Sequence, residues 1–325
     1  MRPSWRERML QGHPRGDGAV EFRVILPVDG SRRRSIVAKF SMASSCRKLL
    51  SFTMQWQRWL IGKWSWKRPL RFLALLYGCL LITAVFFAEK LFFFPPPPGY
   101  EDSPQILKLT TSDGNSIAAI ERPSKPGFPT LLYTHGNAED LGDVSGLADA
   151  WENEGFGVLA YDFPGYGLST GTPLEHTCEA AIYATWTYLT KTKGVPPSKI
   201  IIVGRSVGSG PSVWLAERTT AAGLILVSPF TSVFAVRIPI PILPCDRFPN
   251  LKRIAQVKCP LLVIHGEADT LISPSHGRKL VEASTVADKQ FIGIRGAGHN
   301  DVFEVGGEVI DTAIRDFTLR VSPPR

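Results

Sequence analysis

The chain carries the stretch Ile-Ile-Ile-Val-Gly-Arg-Ser-Val-Gly at residues 200–208. Its first four residues are β-branched and apolar, as in a buried strand, and a Gly-x-Ser-x-Gly motif follows at once. This order predicts a strand that turns sharply into a helix and holds the Ser206 hydroxyl at the turn. Gly204 and Gly208 suit such a turn because a side chain at either position would clash with neighbouring elements.

A second Gly-x-Ser-x-Gly match, at residues 167–171, shows that the motif alone is a weak signal. It follows the stretch Tyr-Asp-Phe-Pro-Gly-Tyr at residues 161–166, and no strand leads directly into it. Ser169 is therefore interpreted as a loop residue, and Ser206 as the candidate nucleophile.

Two strand-like stretches after Ser206 are each followed by a partner that a serine nucleophile needs. Asp269 follows the apolar stretch 260–266, and His299 follows the stretch 291–294. A serine hydroxyl is a poor nucleophile at neutral pH, so it needs a histidine base and a carboxylate that orients the base. The sequence therefore predicts Ser206, Asp269 and His299 as a catalytic triad, in that chain order.

The loop after the strand-like residues 130–134 is the candidate oxyanion hole. It reads His-Gly-Asn-Ala at residues 135–138, and its backbone N–H groups can face the carbonyl oxygen of a substrate. Asn137 is the predicted first donor, with Ala138 as the alternative. The backbone N–H of Val207 is the predicted second donor.

Other titratable residues are assigned structural roles. Asp162 is the rival to Asp269, but it follows an earlier strand than the nucleophile, in a turn where its side chain can bind local amides. His135 and His265 lie in His-Gly turns at strand ends and are predicted to be structural. The six histidines show no ligand spacing with cysteine or carboxylate partners, so neither a metal nor a cofactor is predicted.

Strand-like and helix-like stretches alternate along the C-terminal two thirds of the chain. This alternation predicts an α/β fold with a mostly parallel twisted sheet and helices on both faces. The 32 residues at 228–259 form a short, apolar, proline-containing cap. Phe230, Val233 and Phe234 in it are the predicted substrate-binding residues, as a wall for an acyl chain. Ordinary packing over the sheet edge is the alternative interpretation.

Taken together, the motifs resemble the α/β-hydrolase superfamily, and most of all its Bem46-like group, which includes the eukaryotic depalmitoylating hydrolases. The resemblance covers residues 104–320. It implies the α/β-hydrolase fold and a serine hydrolase that acts on esters or thioesters, with Ser206, Asp269 and His299 as the triad. The stretches that carry it are 133–142, 161–167, 204–208, 248–251, 265–269 and 296–301.

The positive charge of the chain is concentrated at its N-terminus. Residues 1–71 hold 16 Lys and Arg against 4 Asp and Glu, a net charge of +12, whereas the remaining residues hold 21 against 25, a net charge of −4. This basic segment adjoins the uncharged apolar run 72–88, which favours a membrane surface over nucleic acid as its partner.

Four segments are predicted from these patterns. Residues 1–66 form a basic, disordered arm, residues 67–94 a transmembrane anchor, residues 95–103 a proline-rich linker and residues 104–322 the catalytic domain. A cleaved signal peptide is the alternative for the apolar run, and Met54 is an alternative start. The basic flank predicts a cytoplasmic N-terminus and an extracytoplasmic catalytic domain, where a Cys245–Cys259 disulfide is an option.

The predicted function is that of a membrane-anchored serine hydrolase that cleaves carboxylic esters or thioesters through an acyl-enzyme. The predicted partners are a small-molecule or acylated-protein ester substrate and the membrane, without nucleic acid. Two alternatives stay open: a catalytically inactive scaffold of the same fold that binds a lipid or protein, and a serine peptidase.

Overall fold

A computed structural model describes residues 13–14, 20–26, 34–40, 66–86, 92–237 and 246–324 of the chain. The chain forms two compact units, residues 1–77 and residues 78–325.

The first unit contains a small antiparallel sheet made of β1 (His13–Pro14), β2 (Val20–Leu26) and β3 (Arg34–Phe40). The register of β2 and β3 aligns Phe22 with Ala38 and Val24 with Ile36. These strands differ from the disordered arm predicted for residues 1–66. The physical reason is that apolar residues recur at every second position of β2, which is the period of a strand, whereas the prediction relied on the basic composition of the whole segment.

Helix α1 (Lys67–Phe86) occupies most of the predicted transmembrane anchor 67–94. Residues 87–91 of that anchor lie outside the described part of the chain. Across the residues that the structure does describe, no helix has both the length and the apolar character required to cross a membrane. The transmembrane helix predicted with the fold is therefore not shown.

The second unit is built around an eight-stranded sheet. Its strand order is β4-β5-β7-β6-β8-β9-β10-β11, with antiparallel pairing of β4 with β5 and of β5 with β7, and parallel pairing between all other neighbours. The strands are β4 (Leu107–Thr110), β5 (Ser116–Arg122), β6 (Thr130–Thr134), β7 (Gly157–Tyr161), β8 (Ile200–Arg205), β9 (Gly223–Val227), β10 (Leu261–Gly266) and β11 (Lys289–Ile294).

Helices cover both faces of this sheet. Trp151 of α2 and Ile310 of α7 belong to the hydrophobic cluster on one face, whereas Ile182 of α3, Val213 of α4 and Leu280 of α6 belong to the cluster on the other. The helices are α2 (Leu141–Glu154), α3 (Glu175–Thr187), α4 (Ser209–Arg218), α5 (Asn250–Ile254), α6 (Pro274–Ala283) and α7 (Val302–Val321).

The central strands are mostly apolar because both of their faces are covered. Every residue of β6, β7, β9 and β10 is buried. Along β6, Leu132 joins one cluster while its neighbours Leu131 and Tyr133 join the other, as expected for side chains that alternate across a sheet. The predicted α/β fold with a mostly parallel sheet is confirmed.

A half-buried ion-pair cluster joins α3 to α5. Arg253 Nη2 lies 3.0 Å from Glu175 Oε1, and Arg253 Nη1 lies 2.9 Å from Glu179 Oε1. Burial raises the pKa of Glu179 from 4.5 to about 7, and the adjacent Arg253 opposes this rise only in part. The folded protein therefore holds a proton on Glu179 at pH values where the unfolded chain has released it.

Replacement of Glu179 by glutamine is expected to stabilise the protein in a pH-dependent way. Because the folded-state pKa is raised, the stability that the protonated form contributes is present at low pH and is lost as the pH rises through about 7. The variant should thus be more stable than the wild type by about 1–3 kcal/mol at pH 8 and nearly equal to it at pH 5. Urea unfolding at the two pH values measures the difference, and a variant that gains no stability at pH 8 relative to pH 5 would contradict the assignment.

Candidate active site

Ser206 lies at a sharp turn between β8 and α4. Its backbone φ is +49°, in the left-handed region that residues other than glycine rarely adopt. A Cβ at Gly204 would lie 2.5 Å from Ser212 Oγ, and a Cβ at Gly208 would lie 2.3 Å from the carbonyl oxygen of Thr134. Both contacts are closer than packed atoms allow, so the two glycines permit β6, β8 and α4 to approach one another at the turn.

The structure brings Ser206, His299 and Asp269 into one hydrogen-bonded chain. Ser206 Oγ lies 2.8 Å from His299 Nε2, and His299 Nδ1 lies 2.7 Å from Asp269 Oδ2. The three residues follow β8, β11 and β10 respectively. Because these strands are parallel, their carboxyl ends meet at one edge of the sheet, and residues distant in sequence become neighbours there.

Asp269 is held as a carboxylate by several donors. Its Oδ1 accepts hydrogen bonds from the backbone N–H groups of Leu271 at 2.9 Å and of Ile272 at 2.8 Å. Burial raises the pKa of Asp269, but the hydrogen bonds from His265, His299 and the Ile272 backbone outweigh burial and hold that pKa well below its ordinary value. Asp269 therefore keeps its negative charge at neutral pH.

His265, which was predicted to be structural, lies within contact distance of the Asp269 carboxylate. Its Nε2 lies 2.9 Å from the carbonyl oxygen of Ile272 and 3.3 Å from Asp269 Oδ2, and its side chain is fully buried. An imidazole that donates from Nε2 to this pair of oxygens fixes the loop that carries Asp269. The only sequence signal for this contact is the spacing of four residues between the histidine and the aspartate.

Asp162, the alternative candidate for the triad acid, binds residues outside the hydrogen-bonded chain of Ser206, His299 and Asp269. Its Oδ1 accepts from the backbone N–H of Leu141 at 2.9 Å, and its Oδ2 accepts from the hydroxyl of Tyr100. His135 Nε2 lies 3.5 Å from Asp162 Oδ1. Ser169, the serine of the second motif, binds backbone alone: its Oγ accepts from Ala118 N–H at 2.9 Å and donates to the carbonyl of Asp162 at 3.2 Å.

The predicted oxyanion donors Asn137 and Val207 both line the cavity at Ser206. The backbone N–H of Ala138, the alternative donor, is directed to Asn137 Oδ1 at 3.2 Å. Within residues 92–237 and 246–324, no acceptor binds the backbone N–H of Asn137. The local geometry therefore favours Asn137 over Ala138 as a donor to a substrate carbonyl.

A cavity of about 920 Å³ opens above Ser206. The predicted substrate-binding residues Phe230, Val233 and Phe234 line it. Sequence reasoning missed several other lining residues. Phe92 and Phe94 come from a distant segment with no motif of its own, and Leu271 and Ile272 follow shortly after Asp269.

The polar rim of the cavity is formed by an ion pair. Arg205 pairs with Glu139 and donates from Nη2 to the carbonyl of Asn300 at 3.1 Å. Glu139 Oε2 also accepts from the backbone N–H of Gly136 at 2.6 Å. These bonds join the loops that carry the elbow, the oxyanion donors and His299.

Among the described residues, no cluster of His, Cys, Asp or Glu is arranged to hold a metal ion. Cys259 is a free cysteine in the structure, which does not support the optional Cys245–Cys259 disulfide, and Cys245 itself lies outside the described residues. Cys259 is itself buried, and burial raises the pKa of its thiol to about 12.

Comparison with known proteins identifies the family to which the chain is similar. A family model described as serine aminopeptidase, S33 matches residues 128–243 and 250–306. Alpha/beta hydrolase domain-containing protein 17B of Homo sapiens is 38% identical over 215 residues, which cover 65% of this chain and 74% of the relative. Alpha/beta hydrolase domain-containing protein aho-3 of Caenorhabditis elegans is 40% identical over 201 residues, which cover 60% of each chain.

Solved structures show the same fold at lower sequence identity. An esterase of Pyrococcus furiosus is 19% identical with a TM-score of 0.59, and the match covers 70% of this chain and 98% of the esterase. A monoacylglycerol lipase of Paleococcus ferrophilus is 22% identical with a TM-score of 0.53, and the match covers 63% and 99%. Together with the sequence relatives and the motifs, these matches establish that the chain is a hydrolase that belongs to the α/β-hydrolase superfamily, in its depalmitoylase-like branch.

Proposed function

We propose that this hydrolase cleaves carboxylic ester or thioester bonds through an acyl-enzyme on Ser206. The observation that carries the proposal is the continuous chain from Ser206 Oγ through the His299 ring to Asp269, with links of 2.8 Å and 2.7 Å. A serine hydroxyl in this arrangement has both a base within reach and a carboxylate that orients the base.

In the proposed mechanism, Ser206 Oγ attacks the substrate carbonyl while its proton passes to His299 Nε2. The negative charge that develops on the carbonyl oxygen is stabilised by the backbone N–H groups of Asn137 and Val207. Asp269 accepts from His299 Nδ1–H and stabilises the imidazolium. The tetrahedral intermediate collapses, and the leaving alcohol or thiol takes the proton from His299. A water molecule, deprotonated by His299, then hydrolyses the acyl-enzyme and restores Ser206.

The lining of the cavity favours an acyl ester over a peptide. Phe230, Val233 and Phe234 present an apolar surface next to Ser206. Glu139 is the sole carboxylate in the described lining, and its pairing with Arg205 leaves it poorly placed to bind the free amino group of a peptide. The serine peptidase that the family description names is thus the second candidate.

Membrane association through helix α1, which lies within the predicted anchor 67–94, belongs to the same proposal. Helix α1 exposes large apolar side chains, including Phe72 at 66% and Leu73 at 57% of their surface. Contact with a bilayer would remove this surface from water, and the basic residues before it predict a cytoplasmic N-terminus with an extracytoplasmic catalytic unit.

Labelling with a fluorophosphonate probe tests the proposed nucleophile. The detergent-solubilised full-length protein should react with the probe, and peptide mapping by mass spectrometry should find the adduct on Ser206 and none on Ser169. Hydrolysis of p-nitrophenyl esters should then exceed hydrolysis of aminoacyl p-nitroanilides. A folded protein that takes up no probe would favour the inactive scaffold, and faster cleavage of the anilides would favour the peptidase.

A further inference from the structure

Residues 92–94, predicted as the end of a membrane anchor, are instead bound to the catalytic unit through the side chain of Asn137. Asn137 Nδ2 donates to the carbonyl oxygen of Phe92 at 2.7 Å, and Asn137 Oδ1 accepts from the backbone N–H of Phe94 at 3.0 Å. The hydroxyl of Tyr166 donates to the same Oδ1 at 2.6 Å. One amide side chain thus binds both backbone groups that flank Phe93, using its donor and its acceptor together.

The three phenylalanines of this segment alternate between the core and the cavity. Phe93 is 4% exposed, and its ring packs edge-on against those of Phe163, Tyr166 and Phe248 at centroid distances of 6.1 to 6.4 Å. Phe92 and Phe94 line the cavity at Ser206, where the Phe92 ring lies 6.1 Å from that of Phe230. The buried Phe93 therefore anchors the segment, while its two neighbours face the substrate.

We infer that residues 92–94 form a wall of the acyl-binding cavity that selects acyl-chain length, and that the Asn137 side chain couples this wall to the oxyanion loop. This inference rests on the proposed function. In the proposed mechanism the backbone N–H of Asn137 donates to the substrate carbonyl. Because the side chain of the same residue binds the wall, a shift of the wall would displace the oxyanion donor. Phe92 is then a specificity-determining residue, and the Asn137 side chain is a positioning group.

A smaller and a larger side chain at Phe92 test whether this residue limits the length of the acyl chain. The substrates are p-nitrophenyl esters whose acyl chains range from two to sixteen carbons. In the full-length protein, Phe92→Ala should move the chain length that is hydrolysed best toward longer chains. Each further methylene that the enlarged cavity buries should raise kcat/KM about fourfold. Phe92→Trp should move the optimum toward shorter chains. A loss of folded protein would lower all rates together and would not shift the optimum in two directions.

Asn137→Ala tests the coupling, because it keeps the backbone N–H and removes the side-chain bonds to residues 92–94, together with those from Tyr166 and Ala138. For a two-carbon ester, which does not reach the wall, kcat should fall about tenfold with little change in KM, since a displaced oxyanion donor acts on the transition state. Thr185→Val is the matched control. Its buried hydroxyl donates to the Ile182 carbonyl at 2.7 Å inside α3, away from the cavity, so kcat and the optimum should stay unchanged.

The outcomes separate this inference from the proposed function. If the wild type is active but neither Phe92 variant shifts the preferred chain length, or Asn137→Ala leaves kcat unchanged, the inference is overturned and the proposed function stands. A wild type that hydrolyses no ester of the series would overturn both.

Discussion

Replacement of Ser206 by alanine is expected to lower kcat for hydrolysis of a short-chain ester by about a million-fold. The change removes the oxygen that lies 2.8 Å from His299 Nε2 and leaves no atom to form the acyl-enzyme. The small residual rate would come from the oxyanion donors and from substrate binding, which the variant keeps. Initial rates with a p-nitrophenyl ester, corrected for folded protein by near-ultraviolet circular dichroism, measure the loss.

The second Gly-x-Ser-x-Gly motif offers a matched control for that experiment. Ser169→Ala makes the same chemical change in the same sequence context, but Ser169 Oγ binds only the backbone of Ala118 and Asp162. Its loss should reduce stability by about 1–3 kcal/mol, because the Ala118 N–H is left unpaired, while kcat of the folded protein stays unchanged. If Ser206→Ala retains substantial activity, the nucleophile is a different residue.

Replacement of Asp269 by asparagine is expected to lower kcat by about ten-thousand-fold. The asparagine side chain fits the site but carries no charge, and its amide group can hold His299 in the tautomer that cannot accept the Ser206 proton. Because the pKa of Asp269 is held well below its ordinary value, this carboxylate stays ionised throughout the acid limb of a kcat–pH profile. That limb should therefore not report titration of the Asp269 carboxylate.

Asp162→Asn separates the two candidate acids. Asp162 binds Leu141 and Tyr100, whereas the carboxylate that binds His299 is that of Asp269. Its replacement should lower the unfolding midpoint in urea and leave kcat of the folded protein nearly unchanged. A loss of kcat in Asp162→Asn that matches the loss in Asp269→Asn would contradict the assignment of the acid.

The central sheet and the grouping of the candidate residues could be predicted because each depends on local patterns. Buried parallel strands need near-continuous apolar stretches, so β6, β8, β9 and β10 are visible in the sequence. The candidate acid and base could be located because they follow such strands, and the carboxyl ends of parallel strands meet at one edge. The apolar cap residue Phe230 was predicted in the same way, from its place after β9.

The contacts that could not be predicted join segments far apart in the chain. Asn137 binds Phe92 and Phe94 across 45 and 43 residues, and nothing in the local sequence marks an asparagine amide as the partner of a phenylalanine backbone. The stretch around Phe92 is also apolar enough to resemble a membrane anchor, since burial in a protein core and burial in lipid select the same residue types. His265 shows a similar limit, because its contact with Asp269 depends on how the intervening loop folds.

The pairing of β6 with β8 has a consequence for how enzymes with this framework can diversify. Thr134 and Gly204 are register partners in these adjacent strands, so the loop with Asn137 and the turn with Ser206 start from positions about 4.8 Å apart. These starting positions are set by backbone hydrogen bonds between the two strands and do not depend on the side chains of the cap. Insertions or substitutions in the cap after β9 can therefore produce enzymes with new substrate preferences without rebuilding the reaction centre.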